Sequence, residues 1–156
     1  MSLSLRRFLF RAMENHCEIQ IYDESRIDAK KTTQRLATEI LRIEQKYFPA
    51  TKNSFVLEIN HSAGSRLGIK LDTETRNLFN IAEHSFVLSS GTWDITATKL
   101  NKAWKDKTQP PLDNAELTKL LPLVGFEKLY FKGKRLYLPK NMEIDFGPII
   151  KEYATD

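Results

Sequence analysis

The spacing of apolar residues in the first third of the chain predicts one long amphipathic helix. It spans Arg26–Tyr47, and its apolar stripe is formed by Leu36, Ile40, Ile43 and Tyr47. The opposite face carries three charged residues that we expect to face water, Glu39, Arg42 and Lys46. Pro49 lies two residues beyond Tyr47 and cannot continue a helix, so the helix ends before it.

Three shorter helices are predicted further along the chain. The first spans Thr73–Leu88 behind an Asp72 cap, and its apolar stripe comprises Leu78, Ile81, Ala82 and Phe86. The second covers residues 96–104. A loop with two prolines follows at residues 108–112, and an Asp-x-x-Glu capping box at residues 113–116 then starts the third, which ends near Leu121 and Pro122.

Alternating apolar and polar positions predict the strands. Residues 17–22 alternate and place Cys17, Ile19 and Ile21 on one face. Residues 55–59 are predicted as a short strand, residues 142–145 as a brief extended segment, and residues 127–131 and 135–138 as a hairpin around a Lys-Gly-Lys turn. The mixed order of elements predicts an α+β fold, with a mixed or antiparallel sheet and packed helices.

Length and composition limit the class of protein. The 156 residues fit one domain and show no internal boundary, and 41% of them are hydrophobic, which excludes a disordered chain. The net charge is +4, but the basic and acidic residues are interspersed, so no clustered basic face for nucleic acid is indicated. No apolar run reaches the roughly 18 residues of a membrane span, and no export signal is recognisable.

Isolated nucleophiles and metal ligands give weak signals. The single cysteine, Cys17, excludes an internal disulfide and a multi-cysteine zinc site. Cys17 is expected to be a buried structural residue, and a thiol catalyst is the alternative. The three histidines show no metal-ligand spacing, and no glycine-rich phosphate loop is present.

Two segments suggest a ligand site. In residues 89–96 a helix ends at a glycine, and Trp93 is then placed to cover a flat ring while Asp94 or Thr96 hydrogen-bonds the ligand. The alternative is that Trp93 is core and Asp94 caps the next helix.

The second segment is residues 142–153. Asp145 ends an extended stretch, a glycine turn follows, and Lys151 lies in the first turn of a helix whose free amides suit a phosphate or diphosphate. An ordinary turn with a surface lysine is the alternative. Because this helix is only about two turns long at residue 156, we expect the chain to be interrupted within it.

Several segments, in order, resemble the ApbE family of FAD:protein FMN transferases over nearly the whole chain. The first is a Met-led segment that enters a strand at residues 13–22. An Arg-Ile-Glu stretch at 42–44, a Ser-to-Asn segment at 54–60 and a Gly-Thr-Trp-Asp-Ile-Thr stretch at 91–96 follow. The Leu-Pro-Leu-Val-Gly-Phe stretch at 121–126 with its hairpin, and residues 145–156, complete the match. The resemblance implies an ApbE-like, T-fold-related half domain, spanning residues 1–156 as the N-terminal portion of a longer domain.

The resemblance also implies a reaction and its site residues. Such enzymes cleave FAD at its diphosphate and pass FMN to a threonine of a target flavoprotein, using Mg²⁺. The implied FAD contacts are Met13, Thr92, Trp93, Asp94, Asp145 and Lys151. The implied metal ligand is the backbone carbonyl of Pro148.

The chain departs from the family pattern at three positions. Pro148 replaces the second glycine of a Gly-Gly pair, which removes an N–H group and stiffens the turn. Glu152 replaces a glycine near the expected phosphate site, and Ala50 replaces an aromatic that packs near the flavin. The resemblance covers the N-terminal half of a typical member, and the other half supplies an Asp and a Thr as metal ligands. We therefore expect this polypeptide alone to lack transferase activity.

Three functions stay open from the sequence. The first is a fragment or split half of an FMN transferase that needs a complementary C-terminal half or forms a homo-oligomer. The second is a degenerate module that binds flavin or a partner without catalysis, and the third is an unrelated basic interaction domain. The cellular location is undetermined, although family members usually act on the outer side of the cytoplasmic membrane.

Overall fold

The fold begins with a long β-hairpin. The structure is a computed structural model that describes residues 3–23, 25–105 and 112–156. Strand β1 (Ser4–Ala12) pairs antiparallel with β2 (Asn15–Asp23), in the register Phe8 opposite Ile19 and Ala12 opposite Asn15. The strand predicted at residues 17–22 is confirmed. Strand β1 was not predicted, because three arginines interrupt its apolar positions.

The long predicted helix is confirmed as α1 (Arg26–Tyr47). Ser25 caps it by accepting a hydrogen bond from the Asp28 N–H at 3.2 Å, and Phe48 ends it just before the proline. Its buried residues are Ala29, Thr33, Ile43 and Tyr47. Leu36, predicted as part of the stripe, is 46% exposed because it lines a surface hollow instead of the core.

The strand predicted at residues 55–59 is wrong, because the segment forms helix α2 (Phe55–His61). Val56 and Ile59 are both fully buried, and their spacing of three is helical. A five-residue apolar run of this kind fits either element, and tertiary packing decides between them.

The remaining helices largely follow the prediction. Helix α3 (Thr73–Leu88) is capped by Asp72, whose carboxylate accepts the Thr75 N–H at 2.8 Å. Its stripe uses Phe79 in place of Ile81, which is 42% exposed. Helix α4 (Thr98–Lys105) begins two residues later than predicted, and α5 (Asn114–Leu120) has the predicted capping box. The two-proline loop lies outside the described residues, apart from Leu112.

A second, three-stranded sheet confirms the predicted hairpin in shortened form. Strand β3 (Ile69–Lys70) and β4 (Tyr130–Lys132) pair antiparallel with the two edges of β5 (Arg135–Tyr137), in the order β3-β5-β4. Residues predicted at the start of the hairpin form a 3₁₀ turn instead, at Phe126–Lys128. Two small antiparallel sheets with packed helices make an α+β fold, as predicted.

The core anchors the start of the last helix, α6 (Gly147–Tyr153), which the Gly-Pro pair predicted. The preceding residue, Phe146, is fully buried and contacts two aromatic rings edge-on, Tyr47 of α1 at 5.8 Å and Phe79 of α3 at 5.0 Å between ring centres. Residues 142–145, predicted as extended, join neither sheet. Asp145 is therefore next to one of the most firmly packed side chains in the molecule.

Candidate functional site

Two surface hollows flank α6. The first, of about 420 Å³, lies among the hairpin, α1 and α6, and Met13 and Lys151 line it. The second, of about 590 Å³, lies between the end of α3 and α6, and Trp93, Pro148 and Tyr153 line it. Of the residues implied for FAD binding, Met13 and Lys151 line the first hollow and Trp93 lines the second, on the other side of one short helix.

The Met13 turn, defined as residues 13–14, closes the β1–β2 hairpin. Met13 and Glu14 both have left-handed backbones, with φ of 50° and 60°. Non-glycine residues adopt this region at a cost, so the turn is strained. The Met13 N–H donates to Glu44 Oε1 at 2.7 Å, and the Met13 side chain is only 4% exposed. A side chain of α1 thereby fixes the wall of the first hollow.

The loop after α3 orients Trp93 toward the second hollow. The backbone turns at Ser90 and Gly91, whose φ angles are 52° and 80°. The Trp93 N–H then donates to Ser89 Oγ at 2.9 Å. Trp93 is half-buried against the core and also lines the hollow, so the core and ligand interpretations of this residue are compatible. Thr92 is exposed beside it.

The Asp94 carboxylate is committed to the protein itself. Oδ1 accepts the Thr96 N–H and the Thr96 hydroxyl, each at 2.7 Å, and Oδ2 accepts the Phe126 N–H at 3.0 Å. The Thr96 oxygen in turn accepts the Gly125 N–H at 2.7 Å. The alternative that Asp94 caps the next helix is wrong, since α4 begins only at Thr98. Asp94 and Thr96 join the Trp93 loop to the segment after α5.

The Asp145 corner, defined as residues 144–147, is joined directly to the Trp93 loop. The Asp145 N–H donates to the Ile95 carbonyl at 2.9 Å. Asp145 Oδ1 accepts the Gly147 N–H at 2.6 Å, and a Cβ at position 147 would lie 3.0 Å from that oxygen. The glycine therefore permits the tight turn. The two segments singled out in the sequence meet in space.

The start of α6 offers no free amide. The Gly147 N–H donates to Asp145, Pro148 has none, and the N–H groups of Ile149 and Ile150 both donate to the Phe146 carbonyl at 2.9 Å. The expectation of free amides for a diphosphate is therefore wrong. Lys151 is exposed, and its side chain makes no hydrogen bond or ion pair with the described residues. It is the cation on the wall of the first hollow.

The described residues do not fit a complete Mg²⁺ site. They contain no group of three or more His, Cys, Asp or Glu side chains placed to share a metal ion. Mg²⁺ takes about six oxygen ligands in octahedral geometry. The Pro148 carbonyl would supply one, and the nearby Asp145 carboxylate already accepts a hydrogen bond. The role of Pro148 as a ligand stays a prediction.

A charged cluster joins α1, α3 and α6 beside the second hollow. Arg42 and Lys46 both pair with Glu74, and Lys46 also pairs with Asp72 at 2.5 Å. The sequence predicted that these two cations face water. Instead they form ion pairs with α3. The Tyr153 hydroxyl of α6 donates to Glu74 Oε1 at 3.4 Å.

The cluster shifts the pKa values of its members. Hydrogen bonds from Arg42 and Lys46 outweigh burial and lower the pKa of Glu74 to about 2. Burial would raise the pKa of Asp72, but the hydrogen bonds from Lys46 and Thr75 lower it to about 2. Burial raises the pKa of Tyr47 to about 12. Both carboxylates are thus ionised at neutral pH and hold α1 against α3.

Two residues near the candidate site were missed as such in the sequence. Glu44 holds the Met13 turn, and Asn60 of α2 pairs with the backbone of Ile144 at the Asp145 corner. Each lies in a segment that carries part of the family resemblance, residues 42–44 and residues 54–60. Their partners are 31 and 84 residues away, so no local pattern identifies the contact.

Ala50 lies away from the two hollows beside α6. It is exposed and lines a third hollow of about 580 Å³, together with Asn60 and Glu143. Lys99 and Lys102 line the same hollow, but both pair with Glu143, at 3.7 and 2.8 Å. These charges satisfy one another. Within the described part of the chain, no helix is both long and apolar enough to cross a membrane.

Solved structures share this fold. They include the ApbE protein of Thermotoga maritima MSB8 (TM-score 0.85, 21% identity, covering 97% of this chain and 50% of that one) and, in its apo form, the flavinyl transferase ApbE of Pseudomonas stutzeri (0.85, 18%, 99% and 53%). The flavin transferase ApbE of Vibrio cholerae is similar (0.86, 18%, 97% and 51%). The chain spans about half the length of these structures, and no curated protein matches it.

The sequence match agrees with the structural one. The ApbE family matches residues 13–156, which include the Met13 turn, the Trp93 loop and the Asp145 corner. A match over that much of the chain is sufficient to assign it, and we conclude that the chain belongs to the ApbE family.

Proposed function

We propose that this chain is the N-terminal part of an FAD:protein FMN transferase. In the proposed reaction a threonine oxygen of a target flavoprotein forms a bond to the phosphorus on the FMN side of FAD. The diphosphate P–O bond breaks, AMP leaves with the electron pair, and the hydroxyl proton is released. Family membership supports the proposal, as does the description of two structural neighbours as flavin transferases.

The observation that carries the proposal is the contact between Asp145 and Ile95. The 2.9 Å hydrogen bond brings the Asp145 corner against the Trp93 loop, so Trp93 and Pro148 line one hollow. FAD needs a surface for its flat ring and a cation near its diphosphate, and Trp93 and Lys151 supply these on either side of α6.

The other implied contacts take different parts in this site. Met13 presents a fixed apolar wall beside Lys151. Thr92 is exposed beside Trp93 and free to donate from its hydroxyl. We propose that Asp94 acts through the shape of its loop, because both of its carboxylate oxygens already accept hydrogen bonds.

We infer that Mg²⁺, where it acts, takes most of its ligands from outside this chain. The Pro148 carbonyl is one proposed ligand. The missing oxygens would come from a C-terminal half or from a second copy, and the metal would neutralise charge on the transferred phosphoryl group. The chain by itself is then inactive.

The second candidate function is a flavin- or partner-binding module without catalysis. What favours it is the start of α6, where Pro148 replaces a potential N–H donor and every other first-turn amide is already bonded. Such a module would bind flavin without needing Mg²⁺.

Flavin fluorescence and a transfer assay separate the two functions. FAD is titrated into the chain with Mg²⁺ or with EDTA, first alone and then with the chain joined to the C-terminal half of the Thermotoga maritima ApbE protein. FMN transfer to an acceptor flavoprotein is followed as covalent fluorescence after denaturing electrophoresis. The transferase proposal expects binding and Mg²⁺-dependent transfer only in the joined form.

The other results have defined meanings. Weak, Mg²⁺-independent binding by the chain alone, without transfer in the joined form, supports the module. A folded joined form that neither binds FAD nor transfers FMN contradicts both functions. Cooperative unfolding of the joined form establishes that it is folded before either conclusion is drawn.

A further inference from the structure

The side chain of Asn60 pairs with the backbone of the residue before Asp145. Its Nδ2 donates to the Ile144 carbonyl at 3.0 Å, and its Oδ1 accepts the Ile144 N–H at 2.8 Å. Both groups of one peptide residue are thus satisfied by a single amide side chain. The pairing joins α2 to the segment leading into α6, across 84 positions of sequence.

The Asn60 amide makes the two hydrogen bonds that a neighbouring strand would otherwise make to Ile144. Residues 142–146 belong to neither described sheet, and the Ile144 side chain is fully buried. Backbone groups in such a place need partners, since an unpaired buried N–H or carbonyl costs stability. A primary amide carries a donor and an acceptor side by side, as the edge of a strand does, whereas a carboxylate only accepts.

Asn60 also determines where Asp145 lies. On one side Asn60 holds Ile144, and on the other the Asp145 N–H donates to the Ile95 carbonyl. Phe146 then enters the core between Tyr47 and Phe79. Hydrogen bonds therefore hold the corner on two sides, and the buried Phe146 ring anchors it in the core.

We propose that Asn60 is a positioning residue of the flavin site, which holds the Asp145 corner where Asp145 meets FAD. This inference rests on the proposed function and adds a residue to it. Asn60 contacts no ligand in the proposal, because both its amide nitrogen and its amide oxygen are bonded to Ile144. Its effect passes through the backbone of residues 144–145.

The test compares Asn60→Ala and Asn60→Asp with two controls in the joined form described above. Asn80→Ala removes an exposed asparagine of α3, and Leu136→Ala removes a fully buried side chain of β5 and so controls for destabilisation alone. FAD affinity is measured at a temperature where every variant is fully folded. Amide hydrogen exchange is measured at Ile144 and Asp145 in the 156-residue chain.

We expect both Asn60 variants to weaken FAD binding about tenfold or more, and to speed exchange at Ile144 and Asp145 by a similar factor relative to distant core amides. Asn60→Asp keeps one bond but places a carboxylate against the Ile144 carbonyl, so it should not rescue binding. The two controls should leave FAD affinity unchanged. A loss in Leu136→Ala equal to that in Asn60→Ala would overturn the proposal.

The failure of this inference is distinguishable from that of the proposed function. If the parent protein does not bind FAD at all, the proposed function fails, and with it the role of Asn60 in a flavin site. The exchange data then show separately whether Asn60 holds the corner. If the parent binds FAD and the Asn60 variants bind equally well, the positioning role alone is refuted.

Discussion

The Met13 turn and the Asp145 corner both carry implied flavin contacts, but different forces hold them. The turn has two strained residues and two side-chain hydrogen bonds to its backbone: Glu44 accepts the Met13 N–H at 2.7 Å, and Asn15 Nδ2 donates to the Met13 carbonyl at 2.5 Å. The corner has ordinary backbone angles and three supports, namely Asn60, the Ile95 carbonyl and the buried ring of Phe146. We therefore expect the loss of one hydrogen bond to disturb the turn only locally, whereas a change in the corner should also disturb the core through Phe146.

The largest expected effect comes from removing the aromatic anchor of the corner. Phe146→Ala deletes a fully buried ring that contacts Tyr47 and Phe79, and should cost about 3–5 kcal/mol of unfolding free energy. Urea denaturation measures the loss. Phe10→Ala, at a half-buried ring beside the Met13 turn, is the matched control and should cost clearly less. Equal losses would mean that the corner is no more tied to the core than the turn.

The next effect tests the hydrogen bond from the turn to α1. Glu44→Ala leaves the Met13 N–H without its acceptor and should cost about 1–2 kcal/mol of unfolding free energy. Glu44→Gln keeps an acceptor oxygen and should recover most of that loss. Glu83→Ala, at an exposed glutamate of α3, should change stability by less than about 0.5 kcal/mol. No loss in Glu44→Ala would show that the Glu44 hydrogen bond does not stabilise the turn.

Acid should weaken the charged cluster that joins α1 to α3 and contacts α6 through Tyr153. The pKa of Glu74 is lowered from 4.5 to about 2, so its stabilisation is complete above pH 4.5 and is lost as the pH falls through 2. The unfolding free energy should therefore be lower at pH 3 than at pH 7. Glu74→Gln should lose about 1 kcal/mol at pH 7 and show a smaller fall at pH 3. An unchanged pH dependence in the variant would argue against the cluster.

The smallest expected effect relieves strain in the turn. Glu14→Gly places the one residue that tolerates φ of 60° at an exposed position, and should raise unfolding free energy by about 0.5 kcal/mol. The reverse change is available in the β4–β5 turn, where Gly133 has φ of 57° and open space around its Cα. Gly133→Ala should lose a similar amount. A stabilising Gly133→Ala would contradict the assignment of strain to such turns.

The sequence predicted the long elements well because several local signals agree there. Helices α1 and α3 have apolar stripes, caps and clear ends, and both bounds match the prediction. Helix α2 was wrongly predicted as a strand, because five apolar-rich residues carry too little periodicity. Strand β1 was not predicted, because its partner and the helix beneath it, not its own pattern, determine its conformation.

The candidate site was predictable in its segments but not in its supports. Glycine, tryptophan and aspartate clusters mark the Trp93 loop and the Asp145 corner, and the two do meet. The contacts of Glu44 and Asn60 depend on the fold, since each reaches a backbone group far along the chain. The same holds for Asp94 Oδ2, which accepts the N–H of residue 126.

Helix α6 is a two-sided partition, with the ammonium of Lys151 on the methionine side and the carboxylate of Glu152 on the tryptophan side. Successive residues of an α-helix are turned by about 100° about its axis. One residue inserted after Pro148 would swing the ammonium onto the tryptophan wall. The rotational phase of two short turns therefore decides which hollow receives the ammonium of residue 151 and which receives the carboxylate of residue 152.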